Sequence, residues 1–342
     1  MGGRVTAQRP DGTGAVNPPP GTPLLQVEDL VIDLPDPQGD VVRVVDGVSF
    51  DVPAGTTVGL IGESGSGKTM TALAVIGLLP DRAATGGRLL WRGADLLRPE
   101  TDWRRVRGHQ ISMIFQDPLA ALNPSLTIGR QVGEILRRAG RPRAEVRRAV
   151  IDLLDRAGVP DPERRMGDYP YEFSGGLRQR AMIALALAGN PALLLADEPT
   201  TALDVTVQAR ILRLLRSIQQ EGLSMLLVSH DLRVIAHVAD QVVVMYAGRV
   251  AERGPAAEVL RRPAHPYTRA LVASVPAVRT RTALADPLPG TPATPAHRPS
   301  GCAFHPRCPL ARDRCRAEVP PAREVAPGRW SACHFAEEVL TP

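Results

Sequence analysis

Apolar residues alternate with polar ones at Leu25, Val27, Leu30 and Ile32, and again over Val41–Phe50. Between the two runs lies the turn-rich Pro35-Asp36-Pro37-Gln38-Gly39-Asp40. A period of two bounded by turn residues predicts two half-buried strands. Thr57–Ile61 is a short apolar run and predicts a buried strand, and Met70–Leu79 has the spacing of a helix. Leu89–Trp91 and Ile111–Phe115 read as strands. Helical spacing then dominates from Ile128 to Leu187, with Ile135, Val146, Val150, Leu153 and Leu154 on the apolar side. Further on come a strand at Leu193–Ala196, an amphipathic helix at Thr206–Gln220, a strand at Met225–Ser229 and a helix at Leu232–Ala239. Val242–Tyr246 and Arg249–Glu252, joined around Gly248, predict a closing hairpin. Short buried strands alternating with helices give an α/β fold with a mainly parallel sheet covered on both faces. No internal repeat is visible, so the chain has one such unit.

The same pattern divides the chain. Residues 1–23 are Gly- and Pro-rich and predict a disordered tail. Residues 24–275 form the main unit, with a helical subdomain at about 119–180. Residues 276–300 are a proline-rich linker, and 301–342 hold all four cysteines. No apolar run approaches the roughly 20 residues that span a bilayer, and no hydrophobic signal segment opens the chain, so a cytoplasmic location is expected. Met1 to Thr6 fits the short acylation pattern M-G-x-x-x-[ST], although a disordered tail is the simpler reading.

Composition changes the picture at one position. Of 41 basic side chains, 40 are arginine, and the lone lysine is Lys68. A formal net charge of +5 is mild, and the denser arginines at 104–107 and 137–148 read as solvated helix surface, so no nucleic-acid partner is expected. Lys68 sits in Gly62-Glu63-Ser64-Gly65-Ser66-Gly67-Lys68-Thr69, which fits the P-loop pattern G-x-x-x-x-G-K-[ST]. In that pattern backbone N–H groups curl around phosphates, a compact ammonium reaches the β/γ oxygens, and the Thr hydroxyl meets Mg²⁺. A forked guanidinium would not fit the same loop. The predicted strand before it and helix after it supply the required context. Leu193-Leu194-Leu195-Ala196-Asp197-Glu198 adds an acidic strand end. Asp197 is assigned to the Mg²⁺ shell and Glu198 to the attacking water as general base.

Between these elements lies Phe173-Ser174-Gly175-Gly176-Leu177-Arg178-Gln179-Arg180, which is similar to the signature motif of ABC ATPases. The resemblance implies a P-loop NTPase of ABC type, with a mainly parallel core, an antiparallel β part and a helical subdomain. Ser174, Gly175 and Gly176 would then form a second phosphate-gripping helix N-terminus. In this family two subunits pack head-to-tail, and each ATP lies between one P-loop and the other subunit's signature. Gln116, in MIFQDP, resembles the Q-loop glutamine that touches Mg²⁺ and the attacking water. Ala202-Leu203-Asp204 resembles the D-loop at the dimer interface. His230, in SHD, resembles the switch histidine that contacts the γ-phosphate. One element departs from the pattern: the aromatic residue on which many members stack adenine is missing before Phe50. Base contact is expected from aliphatic residues such as Leu34 or Val44, with modest discrimination between ATP and GTP.

MIFQDPLAALNPSLTIG, ADEPTTALDVTVQARIL and HPYTRALVASVP resemble the ATPase subunits of oligopeptide and dipeptide importers, from about Leu24 to the C-terminus. FSGGLRQRAMIALAL is closer to the "D" type of subunit than to its "F" companion. The resemblance implies an ATP-hydrolysing subunit at the cytoplasmic face of the membrane. Its implied partners are a companion ATPase, two permeases and an extracytoplasmic peptide-binding protein. Nickel and glutathione importers use similar subunits, and a soluble ABC ATPase acting on DNA or ribosomes is the more distant alternative. A regulatory module without turnover would not need Glu198 and His230 together. Cys302, Cys308, Cys315 and Cys333 are spaced C-x5-C, C-x6-C and C-x17-C, none of them the C-x2-C of most zinc sites. Disulfides do not suit a reducing cytoplasm. Some peptide-importer subunits carry a [4Fe–4S] cluster in a similar region, and four thiolates fit that chemistry. Four-cysteine zinc, with His305 or His334 as substitute ligands, is the alternative, and four free buried cysteines the third.

Overall fold

The computed structural model describes residues 23–201, 203–275 and 290–341. The tail expected before Pro23, with its acylation pattern, lies outside them, as do Ala202 and linker residues 276–289. β1 (Pro23–Pro35) and β2 (Val41–Pro53) pair antiparallel. Their turn is closed by Asp36, whose carboxylate accepts from the N–H groups of Gln38 and Asp40 at 2.9 and 2.8 Å. β3 (Thr57–Ile61) leads through the glycine-rich loop into α1 (Lys68–Val75).

That helix is shorter than the Met70–Leu79 expected, and Gly77 is the reason. It takes φ +64°, its N–H bonds to Ala74 O at 3.0 Å, and Leu78 N–H bonds to Leu73 O at 2.9 Å. Together these make a left-handed C-terminal cap that satisfies the last carbonyls and stops the helix. A Cβ at Gly77 would stand 2.4 Å from the Trp103 ring, so only glycine closes this turn.

β4 (Ala84–Trp91) and β5 (Ala94–Asp95) complete a four-stranded antiparallel sheet of order β2-β1-β4-β5. After the single turn α2 (Trp103–Val106), β6 (Ile111–Ile114) returns to the second sheet. Helices α3 (Pro118–Ala121), α4 (Ile128–Arg138), α5 (Arg143–Arg156), α6 (Pro162–Arg165) and α7 (Gly175–Leu187) follow. They gather their own apolar cluster, including Ile128, Val132, Val150, Leu154, Phe173 and Ala181. Next come β7 (Leu193–Asp197), α8 (Val205–Gln220), β8 (Ser224–Ser229), α9 (Leu232–Val238), β9 (Gln241–Tyr246) and β10 (Arg249–Pro255).

The second sheet has eight strands, and β6, β7, β8, β3 and β9 run parallel within it. Alternation along these buried strands feeds two cores. Leu193, Leu195, Leu226, Val228 and Val243 face α1 and the antiparallel sheet. Leu194, Ala196, Met225, Leu227, Val242 and Val244 face α8 and α9. A sheet buried on both faces requires such near-continuous apolar runs.

α10 (Ala256–Arg261) and α11 (Pro266–Ala273) precede the undescribed linker residues. Beyond it stand α12 (Asp313–Ala317), β11 (Arg323–Ala326), β12 (Arg329–Ser331) and α13 (Ala336–Leu340). The cysteine-bearing region completes the main core, to which it gives Phe304. β12 pairs with β10 through Glu252↔Ser331 and Arg253↔Trp330, extending the large sheet. Phe304 packs at 5.4 Å, ring to ring, against both Tyr246 and Tyr267. Arg329 donates to buried Glu252 at 3.0 Å and to the Arg262 carbonyl at 2.7 Å.

Candidate active site

Because β6, β7, β8 and β3 are parallel, the segments leaving their C-terminal ends meet along one edge of the sheet, where open α/β sheets place their ligands. Gln116 follows β6, Asp197 ends β7 and Glu198 follows it, His230 follows β8, and the glycine-rich loop follows β3. Close approach explains the loop's glycines. A Cβ at Gly62 would lie 2.2 Å from the Met245 carbonyl oxygen, and one at Gly67 3.0 Å from that of Val44. Gly67, at φ +100°, is the N-cap of α1. Ser66 is buried, with its carbonyl accepting from Gly248 N–H at 3.0 Å, whereas Ser64 and Gly65 are exposed at the rim.

Lys68 is only 6% exposed, and its Nζ donates to the carbonyls of Gly62 and Glu63, both at 2.9 Å. Burial pulls its pKa down, against the carboxylates of Glu198, Asp197 and Glu63, which favour the charged form. Thr69 Oγ1 donates to Asp197 Oδ1 at 3.3 Å. Burial pushes the Asp197 carboxyl up. The Thr69 bond and Lys68 oppose that shift, and Glu198 adds to it. A hydroxyl beside a buried carboxylate fits Mg²⁺, which takes one or two protein oxygens and completes its shell with phosphate and water.

Glu198 is held through both its backbone and its side chain. Its backbone sits in the left-handed region at φ +47°, a conformation costing about 1–3 kcal/mol for a non-glycine residue and found where structure over-determines it. Its N–H bonds to Val228 O at 2.9 Å, tying it to β8. Oε1 lies 2.9 Å from His230 Nδ1, while Oε2 accepts from Gln116 Nε2 at 3.0 Å and Thr201 Oγ1 at 2.9 Å. Burial alone would raise this carboxyl. The bonds from His230 and Thr201, with the charges of His230 and Lys68, outweigh it and leave the pKa below the ordinary value. A carboxylate held ionised and aimed by three donors is suited to accept a proton from water.

The signature residues stand elsewhere. Ser174 is the exposed N-cap of α7 and makes no side-chain cap bond, Gly175 is open, and a Cβ at Gly176 would meet Val207 at 2.8 Å. Among the described residues no hydrogen bond or ion pair joins Ser174, Gly175 or Gly176 to the glycine-rich loop. Asp204 caps α8, accepting from Val207 N–H at 2.9 Å. Phe50 is 2% exposed in the core and cannot stack on a base. Val44 adjoins Gly67 through its carbonyl, whereas Leu34 lies out along β1 opposite Val42.

All four cysteines border one small apolar cavity, together with His305 and His334. Burial raises the thiol pKa of Cys302, Cys308 and Cys333, the last to about 11, and their neighbouring thiols add to it. The expected cluster or zinc set is not drawn together: among the described residues no three His, Cys, Asp or Glu stand close enough to hold a metal ion. Convergence on one cavity suits a four-thiolate group in donor number, but the spacing is that of free thiols.

Three site residues escaped the sequence reading. Thr201 follows the acidic pair and was visible in ADEPTT, but nothing in its type marks it as a donor to Glu198. Tyr267 and Arg307 reach the glycine-rich loop from far along the chain. Tyr267 lies in the HPYTRAL stretch, which marked the family without marking a contact.

Known proteins match both the nucleotide-binding part of the chain and its C-terminal region. Residues 45–201 match the ABC transporter family, and residues 251–315 match the oligopeptide/dipeptide transporter C-terminal region. The chain is 44% identical to the oligopeptide transport ATP-binding protein OppD of Salmonella typhimurium, covering 96% of this chain and 98% of that one. It is 46% identical to a putative peptide import ATP-binding protein of Brucella ovis, over 93% and 98% of the two chains. Among solved structures, a dimeric bacterial ABC transporter cassette superposes with a TM-score of 0.61 at 25% identity, covering 68% of this chain and 98% of that one. The cbiO1 subunit from Clostridium perfringens, part of an ABC transporter complex, gives 0.60 at 27% identity, over 70% and 91%.

Proposed function

The chain belongs to the ABC transporter family, in its oligopeptide/dipeptide branch, and from that premise we propose that it is the ATP-hydrolysing subunit that powers peptide import. The observation that carries this reading is the Glu198 carboxylate, held by His230, Gln116 and Thr201 beside the Lys68, Thr69 and Asp197 group. The N–H groups of the glycine-rich loop, that of Glu63 excepted, bind the phosphates, with Lys68 exchanging its loop carbonyls for β/γ oxygens. Thr69 and Asp197, with Gln116, would hold Mg²⁺, which would supply neutralisation of the phosphate charge. Glu198 takes the proton of the attacking water, and His230 holds the carboxylate and meets the γ-phosphate.

Ser174, Gly175, Gly176 and Asp204 serve the nucleotide of a head-to-tail companion ATPase. Support comes from the open, uncapped N-terminus of α7. Two permeases hold the pair at the cytoplasmic face of the membrane, with an extracytoplasmic binding protein delivering peptide. No helix among the described residues is long and apolar enough to cross a membrane. The relatives favour peptide over nickel or glutathione as cargo and a transporter over a soluble ABC ATPase. For the cysteines we propose a [4Fe–4S] cluster rather than zinc: four thiols share one cavity, and binding the cluster would have to draw them in from their free-thiol spacing. Anaerobically purified protein should then be brown, absorbing near about 400 nm; a colourless, zinc-containing protein would exclude the cluster.

Co-expression with a permease pair, the companion and the binding protein tests the function. ATP-dependent uptake of labelled peptide is expected. Uptake of nickel or glutathione without peptide would replace the cargo, and ATPase activity indifferent to the permeases would exclude transport.

A further inference from the structure

Glu63 is the one acid of the glycine-rich loop, and it lies where a polyanion must bind. Carboxylate and phosphate repel, and in a partly buried site solvent screens that repulsion poorly. The structure answers this charge from outside the nucleotide-binding core. Arg307, in the short turn His305–Arg307 between Cys302 and Cys308, places two guanidinium nitrogens on the two Glu63 oxygens, Nη1 to Oε2 at 2.7 Å and Nη2 to Oε1 at 3.0 Å. The Arg307 side chain is 4% exposed, stands over the Phe304 ring and reaches Tyr246 Oη at 3.5 Å. This fork-on-fork pairing combines charge with fixed geometry.

Glu63 is held at its other two polar groups as well. Its N–H donates to Tyr267 Oη at 2.8 Å, and its carbonyl accepts from Lys68 Nζ at 2.9 Å. Tyr267 is wholly buried, packed on Tyr246 and Phe304. A short chain of contacts therefore runs from the cysteine-bearing region through Arg307 and Glu63 to the lysine of the loop.

We propose that Arg307 is a positioning residue for ATP: it cancels the Glu63 charge and fixes the loop, making the cysteine-bearing region part of the nucleotide site. The proposal rests on reading residues 62–69 as the phosphate loop. It adds a requirement for a residue 244 positions away from Glu63.

The test is steady-state ATPase activity of the assembled transporter. Arg307→Gln should raise KM for ATP about tenfold, the loss expected for one charge-assisted contact, with kcat changed by less than about twofold. Adding Glu63→Gln to that chain removes the uncompensated charge and should return KM to within about threefold of the parent. Arg307→Lys keeps the charge but loses the fork, and its KM should fall between those of the parent and Arg307→Gln. An unchanged KM in Arg307→Gln, or a double variant no better than the single one, would overturn the proposal. If Arg307→Gln yields no folded chain, the double variant stands in its place: parental KM supports the proposal, and a tenfold rise refutes it. Lys68→Arg, measured in parallel, reports on the loop itself. If it leaves ATP binding intact, the phosphate-loop reading has failed whatever Arg307 does.

Discussion

Glu198 Oε1 and His230 Nδ1 stand 2.9 Å apart at the ends of two neighbouring parallel strands. The contact joins a carboxylate 16% exposed to an imidazole 60% exposed, so the inner partner is held and the outer one can move. Strand register sets this geometry: Asp197 pairs with Val228, Glu198 leaves the sheet directly after Asp197, and His230 leaves it after Ser229. The left-handed φ of Glu198 is where that turn is made.

The depressed pKa of Glu198 has a definite sign. Its carboxylate stays ionised below the ordinary 4.5, so its native contacts stabilise the protein above that value and are lost as pH falls through the lower folded one. Turnover measured from about pH 5.5 to 8 should show no loss from Glu198 protonation. His230→Ala removes a bond and a charge, so the acid-side loss should move to higher pH. A profile with an unmoved acid limb would show that His230 does not govern Glu198.

Lys68 is the chain's only lysine, so an amine-reactive ATP analogue has two targets, Lys68 and the N-terminus. Peptide mapping should find label on Lys68 that excess ATP prevents. Lys68→Arg should weaken ATP binding at one site of the pair by roughly tenfold or more, because a guanidinium cannot replace the ammonium between the Gly62 and Glu63 carbonyls. Equal affinity in that variant would contradict the loop's role.

His265 is buried and caps α11, its Nδ1 accepting from Tyr267 N–H at 3.0 Å. Burial lowers its pKa to about 4 from 6.5, so the unfolded chain binds the proton first. Stability should therefore fall as pH drops from about 6.5 towards 4, by roughly 3 kcal/mol if this group acts alone. His265→Asn keeps a capping oxygen and should flatten that slope in denaturant titrations. A slope unchanged in the variant would assign the acid sensitivity elsewhere.

Arg329 and Glu252 form a buried pair, 6% and 0% exposed, that pins β12 to β10. Arg329→Ala leaves an uncompensated buried carboxylate and should cost about 3–5 kcal/mol by chemical denaturation. Adding Glu252→Gln removes the charge while keeping an acceptor for the Ala264 and His265 N–H groups, and should recover much of it. If the double variant is as unstable as the single one, the pair matters for geometry rather than charge.

How much of this was legible beforehand depended on sequence distance. The strand–loop–helix around Lys68 and the Asp197–Glu198 strand end were legible because motif and hydrophobic period coincide within a few residues. The end of α1 was misplaced because Leu78 and Leu79 continue the apolar spacing, while Gly77 reverses the backbone. β11 and β12 gave no strand signal: Arg323–Ala326 and Arg329–Ser331 are short and polar, and pair as strands only because β10 offers an edge. The Arg307–Glu63 and Tyr267–Glu63 contacts span 244 and 204 residues, beyond any local pattern. The cysteines converge on one cavity although their spacing matches no common metal motif, and a metal-ready set does not follow, because a cavity can gather thiols without closing them to ligand distance.

The central claim is that Glu198 is the general base of ATP hydrolysis. The direct measurement is Glu198→Gln in the assembled transporter, with ATP binding and turnover followed on the same preparation. The amide keeps the size and the bonding to Thr201 but cannot accept the water's proton. Turnover at this site should fall by about 10²–10⁴-fold while ATP affinity stays within a few-fold of the parent. Near-parental turnover, with the companion's site silenced, would contradict the account.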